Sequence, residues 1–355
     1  MSTLKVDGIR SNSASSDAIT LANDGTCTAN ITNRSNRNLI INGEFIIDQR
    51  MGGSATAITP SGGVDYTCDR WHESNYSGEA GRITFQTVSG DVPNGNYRQA
   101  IKLDCTTAMG TPSGNDWMGF CQFIESQDIR FLGHGTSAAK SITLQFWVKS
   151  TKTGASSVTI LRHDASREYV AEYTINASNT WEKKTITIPG DTTGTEAAMD
   201  NGRGFKISFA LFAGSSRHGT LNEWRAQNGN YTGASANQVN LLDSTSNNIF
   251  FTGVQLEVGS VATDFEHRSI GQELALCERY YQTRYEYHHL NASNGETDRW
   301  IPFGSTMRAS PSITTSPTNS CSFGVHVSTS KGFSGDGSGN SHANFNLQWT
   351  ASAEL

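Results

Sequence analysis

Charge, proline and long apolar runs are all scarce in this sequence, and each scarcity closes off a class of protein. Lys, Arg, Asp and Glu make up 17% of the 355 residues, and there are 7 prolines. A disordered chain needs more charge or proline and fewer aromatics than this, so the chain is expected to fold. No uninterrupted apolar stretch approaches the length of a membrane-spanning helix. The basic residues stand singly against a formal net charge of −6, without the aromatic-interleaved basic run of a nucleic-acid groove. The opening Met1-Ser2-Thr3-Leu4-Lys5-Val6-Asp7 has no apolar core of signal-peptide length, which predicts a soluble product made in the cytoplasm and not secreted.

Paired cysteines and catalytic motifs are missing as well. Cys27, Cys68, Cys105, Cys121, Cys277 and Cys321 lie far apart with no C-x-x-C, a pattern that predicts buried free thiols instead of a disulfide framework or a zinc site. There is no G-x-S-x-G, no H-E-x-x-H, no Walker loop and no dinucleotide fingerprint, so neither an enzyme nor a cofactor is expected. Glycoside cleavage needs only two carboxylates at the right separation, and Asp69, Glu73, Asp116 and Glu223 stand beside aromatics. Each is expected on a wet strand face or in a turn, and the short fixed repeat of a parallel β-helix is absent. The adjacent His288-His289 would point to opposite faces of a strand and suits one metal poorly. Glu44 or Glu257 is a conceivable ligand for a structural cation, and metal binding is left open.

What the chain has in quantity is glycine, serine, threonine and asparagine, the residues of tight turns. Between the turns run two-residue alternations: Ile142/Leu144/Phe146/Val148, Tyr97/Gln99/Ile101/Leu103, Tyr169/Ala171/Tyr173/Ile175, Phe205/Ile207/Phe209/Leu211 and Val254/Leu256/Val258. Such alternation buries one face of a strand and wets the other. Sheets with one wet face pack in pairs, so the fold class is all-β, a β-sandwich. Residues 1–37 are too polar to bury a core alone and form a first segment; residues 38–267 form the sandwich. Gly271 to Tyr281 carries Leu274, Cys277 and Tyr281 at helical spacing, which predicts a short linking helix within residues 268–282. Residues 283–355 return to strands, with Cys321/Phe323/Val325/Val327 and Phe345/Leu347/Trp349 separated by a glycine-rich turn from Gly332 to Gly339, as a smaller C-terminal β domain.

Several blocks carry a resemblance. Asn38-Leu39-Ile40-Ile41-Asn42-Gly43-Glu44-Phe45 resembles the opening strand of carbohydrate-binding-module-like jelly rolls. With Asp69-Arg70-Trp71, the stretch Phe250 to Gly259 running into Ala262-Thr263-Asp264-Phe265-Glu266, and Leu276-Cys277-Glu278-Arg279-Tyr280-Tyr281, the order is similar to phage tail-fibre-type structural proteins, especially those of marine and cyanobacterial hosts. The resemblance spans residues 38–355 and is most specific from Gly253 to Tyr281. It implies a jelly roll in a virion appendage, a homotrimer that contacts a host-surface glycan or other receptor, with the N-terminal segment gripping tail or other virion proteins.

Aromatic rings stack on the apolar faces of sugars while polar side chains bond the hydroxyls. The long, polar, strandless loop from Ser215 to Asn237 holds Trp224, Arg225 and Tyr231, and a second candidate is Trp117 in Asn115-Asp116-Trp117. These four residues are the expected glycan contacts, whereas Trp71, Trp147 and Trp181 are expected to plug the core.

Overall fold

A computed structural model describes residues 6–10, 12, 19–21, 27–29, 36–57, 64–76, 82–227, 231–289, 299–318, 321–338 and 344–355. The strands β1 (Gly8–Ile9), β2 (Ile19–Leu21) and β3 (Cys27–Ala29) form a small antiparallel sheet. The rest of the first segment lies outside the described residues, and with it most of the predicted attachment region.

The sandwich follows: β4 (Thr56–Ala57), β5 (Val64–Tyr66), β6 (Trp71–Tyr76), β7 (Ile83–Ser89), β8 (Gln99–Cys105), β9 (Trp117–Glu125), the helical turn α1 (Ser126–Ile129), β10 (Ile142–Ser150), β11 (Gly154–Arg162), β12 (Arg167–Ile175), β13 (Glu182–Ile188), β14 (Arg203–Ala213), β15 (Trp224–Ala226) and β16 (Asn248–Val258). They build a six-stranded sheet in the order β13-β10-β16-β8-β7-β4 and a seven-stranded sheet in the order β15-β12-β11-β14-β9-β6-β5. The two sheets are jelly-roll-like layers around one core, as the alternation predicts. Rings run through that core: Trp71 stacks on Phe120 at 4.8 Å, Phe209 meets Phe251 at 4.7 Å, and Phe146 meets Phe209 edge-on at 4.9 Å. Each such ring contributes about 2 kcal/mol through removal of apolar area from water.

Only Trp71 of the three predicted plugs lies in this core. Trp147 is on the outer side of the six-stranded sheet, where its Nε1 donates to Tyr97 Oη at 3.1 Å, and Trp181 precedes β13. Asn38 to Phe45 is irregular chain instead of an opening strand. It meets β16 through isolated bonds, Leu39 N to Leu256 O and Val254 N to Gly43 O. Gly43 is required there, since a Cβ would sit 2.1 Å from Val254 O. Cys68, Cys105, Cys121 and Cys277 are buried free thiols, and Cys321 is half-buried.

The helix forms as α2 (Ile270–Glu278), N-capped by the Ser269 hydroxyl, which accepts from Gln272 N. It ends before Tyr281, which instead opens β17 (Tyr281–His289). The C-terminal domain continues with β18 (Arg299–Pro302), β19 (Ser312–Pro317), β20 (Ser322–Thr329), β21 (Gly332–Ser338) and β22 (Asn344–Ser352), in two three-stranded sheets ordered β17-β22-β19 and β18-β21-β20. The stretch read as a glycine-rich turn is thus mainly strand β21. Its glycines serve packing: at Gly335 a Cβ would lie 2.4 Å from the Phe323 ring. A bulge between Val325 and Val327 breaks the predicted four-residue face, leaving Phe323 buried while Val325 and Val327 are exposed.

This domain docks on the sandwich through charge buried at the join. Arg70, 1% exposed, pairs with Glu354 and lies 3.4 Å from the Tyr280 ring centre. Arg50 bonds the other Glu354 oxygen at 2.9 Å and covers Tyr281. Glu125 accepts from Tyr280 Oη at 2.6 Å and from Arg279 at 2.9 and 2.8 Å.

Candidate functional site

The seven-stranded sheet has a second face, turned away from the core. Because neighbours on a strand point opposite ways, Met118, Phe120 and Ile124 of β9 enter the core while Trp117, Cys121 and Phe123 face outward. On β14 the same rule sends Phe205, Ile207 and Phe209 inward and Lys206 and Ser208 outward. His72, Ser74 and Tyr76 do so from β6, in register with Cys121, Gly119 and Trp117. The loop after β14 returns across part of this face: Thr159 Oγ1 donates to Gly233 O, and Ser235 N donates to Ser157 Oγ.

Two of the four predicted residues meet here although 114 positions separate them in the chain. Trp117 is 3% exposed; its ring lies over Gly119, where a Cβ would come within 2.5 Å of it, and Tyr231 meets it edge-on at 4.9 Å. Gly233 closes over the indole, with room for no side chain: a Cβ would lie 1.8 Å from Trp117 Nε1. Replacing Gly233 with alanine is therefore expected to push the loop off the ring and cost about 1–3 kcal/mol of stability, seen as a lowered urea midpoint and raised tryptophan accessibility to quenchers.

The other two are placed in a neighbouring tie. Trp224 lies in β15, a three-residue edge strand paired to β12, so the loop is not strandless as predicted. Its Nε1 donates to Pro189 O at 2.6 Å, and its ring packs against His134 and Tyr169. Arg225 donates to the fully buried Glu168 at 3.2 and 3.0 Å and to Thr232 Oγ1 at 2.6 Å. Glu168 also accepts from Thr232 N. This network pins the loop to β12 and leaves Arg225 only 29% exposed at its side chain.

The alternation carried no signal for what lies between. Lys206 Nζ sits 5.0 Å from the Tyr231 ring centre, 5.1 Å from Trp117 and 5.7 Å from Phe123, and donates to Ser74 Oγ at 3.0 Å. Rings hold this ammonium through their negative faces. Burial pushes its pKa down, and the nearby Arg203 pushes in the same direction. Beside it, several buried polar atoms have no protein partner among the described residues: Trp117 Nε1, Arg217 Nη2 and both ring nitrogens of His72. Arg217 stacks on Tyr76 at 3.8 Å, and the Tyr76 ring is 57% exposed at the rim. Buried polar atoms are nearly always satisfied, so a cluster of unsatisfied ones marks a place where water or a ligand completes the bonding. Of the rings named here Tyr76 stands open to solvent, while Phe123, 2% exposed, packs with Tyr280 and Leu355, and Gly233 covers Trp117.

The carboxylates considered for hydrolysis are differently placed. Asp69 is fully buried beneath Gln49, which donates to it from N at 2.7 Å and Nε2 at 2.6 Å. Glu73 is 1% exposed and bonded to Asn75 at 2.8 Å. Asp116 accepts from Ser113 N in a turn, and Glu223 is exposed. Among the described residues no group of three His, Cys, Asp or Glu could hold a metal. Glu44 is bonded by Arg98 N and His267, and Glu257 by Thr263 and Gln255. The side chains of His288 and His289 lie outside the described residues.

A separate groove of 430 Å³ opens where Asn36 to Ile41, α1 and α2 meet. Phe131, half exposed, stands at its edge, and the inward guanidinium of Arg268 is bonded to Ile40 O.

An antiparallel two-sheet jelly-roll sandwich with a ring-lined, donor-bearing outer face is the class of protein that these features define. No protein-family model matches the chain, and no curated protein matches it in sequence. Among solved structures it is similar to the enzymatically active domain of tailspike protein 4 of bacteriophage CBA120, at 15% identity and a TM-score of 0.33 over 63% of this chain. That match spans 22% of the tailspike chain, about a fifth of its length. It is also similar to the family 11 carbohydrate-binding module of a Clostridium thermocellum cellulosomal cellulase, at 12% identity and a TM-score of 0.28, over 60% of this chain and 98% of that one. A CBM4 module matches at 18% identity and a TM-score of 0.27, over 53% and 87% of the two chains. Likeness at these scores assigns no family.

Proposed function

We propose that this chain is a non-enzymatic structural subunit of a phage tail fibre or appendage that binds a host-surface glycan through the outer face of its seven-stranded sheet. The observation that carries the reading is the Tyr76 ring, 57% exposed and stacked on Arg217 at the rim of that face, beside the Trp117–Tyr231 ring pair. Rings and N–H groups together are what a sugar needs: apolar stacking for its C–H faces and donors for its hydroxyl oxygens. The sequence resemblance to fibre-type proteins supports the virion setting, and a homotrimer would cover exposed side chains such as Tyr285, Tyr287 and Val327 on the C-terminal domain. The burial of Asp69 and Glu73 favours binding over cleavage.

Purified protein is expected to run as a monodisperse trimer in light scattering and to block adsorption of the cognate phage to host cells. A monomer that leaves adsorption unchanged would point to capsid decoration. Release of reducing ends from host polysaccharide would instead make the chain a depolymerase.

A further inference from the structure

We propose that the free edge of β17 is the seam along which copies of this chain join, each β17 adding its backbone to a sheet of the next copy and covering Tyr285 and Tyr287 in the contact; this rests on the homotrimer reading and names the surface that makes it. The starting point is unpaired backbone. β17 is the outermost strand of its sheet and pairs with β22 over all nine residues without a register shift. From Gln282 to Tyr287 it makes no other backbone–backbone hydrogen bond among the described residues. A strand bonded on one side only leaves alternate N–H and C=O groups facing outward, ready to bond another strand.

Folded chains blunt such edges with short strands, lysine, proline or bulges. Among the described residues the other outermost strands each carry one of these devices. β1, β3, β4, β5 and β15 have three residues or fewer, and β13 carries Lys183 and Lys184. β18 has four residues and ends on Pro302, β19 ends on Pro317, and β20 is bulged between Val325 and Val327. β17 has none of them. Its charged residues, Arg284 and Glu286, are in register with the buried Trp349 and Leu347 and so lie on the inner side, where Arg284 pairs with Glu278 at 3.2 Å.

The outer side of this sheet is uncharged. Tyr285 is 73% and Tyr287 63% exposed, and with Thr283 they stand opposite Gln348, Asn346 and Thr350 of β22. Beyond these, β19 adds only serine and threonine. The outward faces of the sandwich sheets do carry charge, Lys149 and Glu257 on one and Lys206 and Glu168 on the other. In a chain of net charge −6, copies repel one another least where their surfaces are uncharged, which selects a second copy as the occupant over a charged partner. Two tyrosine rings supply apolar area, and their hydroxyls find partners among amide and hydroxyl side chains. For three copies to close a ring, β17 must meet a different edge of the next copy, since pairing with its own counterpart joins only two.

The test uses the full chain in light scattering and hydrogen exchange. Replacing both tyrosines, Tyr285→Lys with Tyr287→Lys, is expected to weaken association at least about tenfold while keeping the far-ultraviolet circular dichroism of the parent. Met199→Lys, at an exposed position on the sandwich, is expected to leave the trimer intact. In the parent, the amides from Thr283 to Tyr287 are all expected to exchange slowly, and in the double variant alternate ones should exchange at least about tenfold faster. The exchange measurement reads the parent directly, so it stands even if the double variant fails to fold. A trimeric parent whose alternate β17 amides exchange freely, or a folded double variant as trimeric as the parent, would overturn the seam and leave the homotrimer reading intact. A monomeric parent would overturn the homotrimer reading itself.

Discussion

Glu354→Gln is expected to lower stability by about 3–5 kcal/mol, the cost of leaving a buried cation without its counter-charge. The cation is Arg70, 1% exposed and enclosed by Glu354, the Tyr280 ring and the Phe123 carbonyl, to which Arg70 Nη2 donates at 2.6 Å. A glutamine keeps the shape and one acceptor but removes the charge that both Arg70 and Arg50 share. Because these contacts join the C-terminal domain to the sandwich, the loss should appear as undocking: two unfolding transitions in urea where the parent chain shows one. Arg70→Met offers the control, since Glu354 would keep Arg50 and the methionine would fill the space beside Tyr280. If Glu354→Gln left the urea midpoint and the number of transitions unchanged, this buried pair would have no part in docking.

Raising the pH from about 4 to about 8 should weaken the fold, and Glu73→Gln should cancel a large part of that loss. Burial pushes the Glu73 carboxyl up to about 7 and, against the help of Arg50 and Gln49, that of Asp69 up to about 6. At pH values below the unfolded pKa of either group both states hold the proton, and neither group affects stability. As pH rises past it, the unfolded chain releases protons that the folded chain retains, so unfolding becomes easier. The effect is complete once pH exceeds the folded pKa. For Glu73 the rise from 4.5 to about 7 corresponds to about 3 kcal/mol. The neutral amide of Glu73→Gln carries no such penalty, so the variant should match the parent near pH 4 and exceed it by up to that amount near pH 8. Groups held the other way set the acid limit. Hydrogen bonds from Arg279 and Tyr280 outweigh burial at Glu125, those from Arg167 and Arg162 do so at Asp191, and both acids lie below their ordinary values, so their stabilisation is lost as pH falls. Urea midpoints of both proteins across this range check the sign directly. An advantage of Glu73→Gln that does not grow with pH would rule out burial of its charge as the cause.

The outcome at particular residues shows where local pattern runs out. Phe205, Ile207 and Phe209 read correctly as core because alternation is a property of the strand itself. Lys206, in the polar slot between them, read as a wetted side chain; it is 8% exposed because the returning loop and the rings of Trp117 and Tyr231 cover it. Trp224 and Arg225, expected glycan contacts because they lie in a long polar loop, prove to be its anchors, fastened to Pro189 O and Glu168. Tyr76 carried no usable signal, since nothing local marks an exposed tyrosine as part of a site.

By itself the sequence determined that this chain is all-β, where most strands run, which of their faces are apolar, and that no recognised catalytic motif is present. Those properties follow from a two-residue period and from turn chemistry, both of which act over a handful of neighbouring residues. Tertiary structure alone decided that His72, Trp117, Phe123, Lys206, Arg203 and Tyr231 share one outer face. That meeting depends on strand order, which sets β6, β9 and β14 side by side, and on a loop folding back over them, through contacts between residues scores of positions apart.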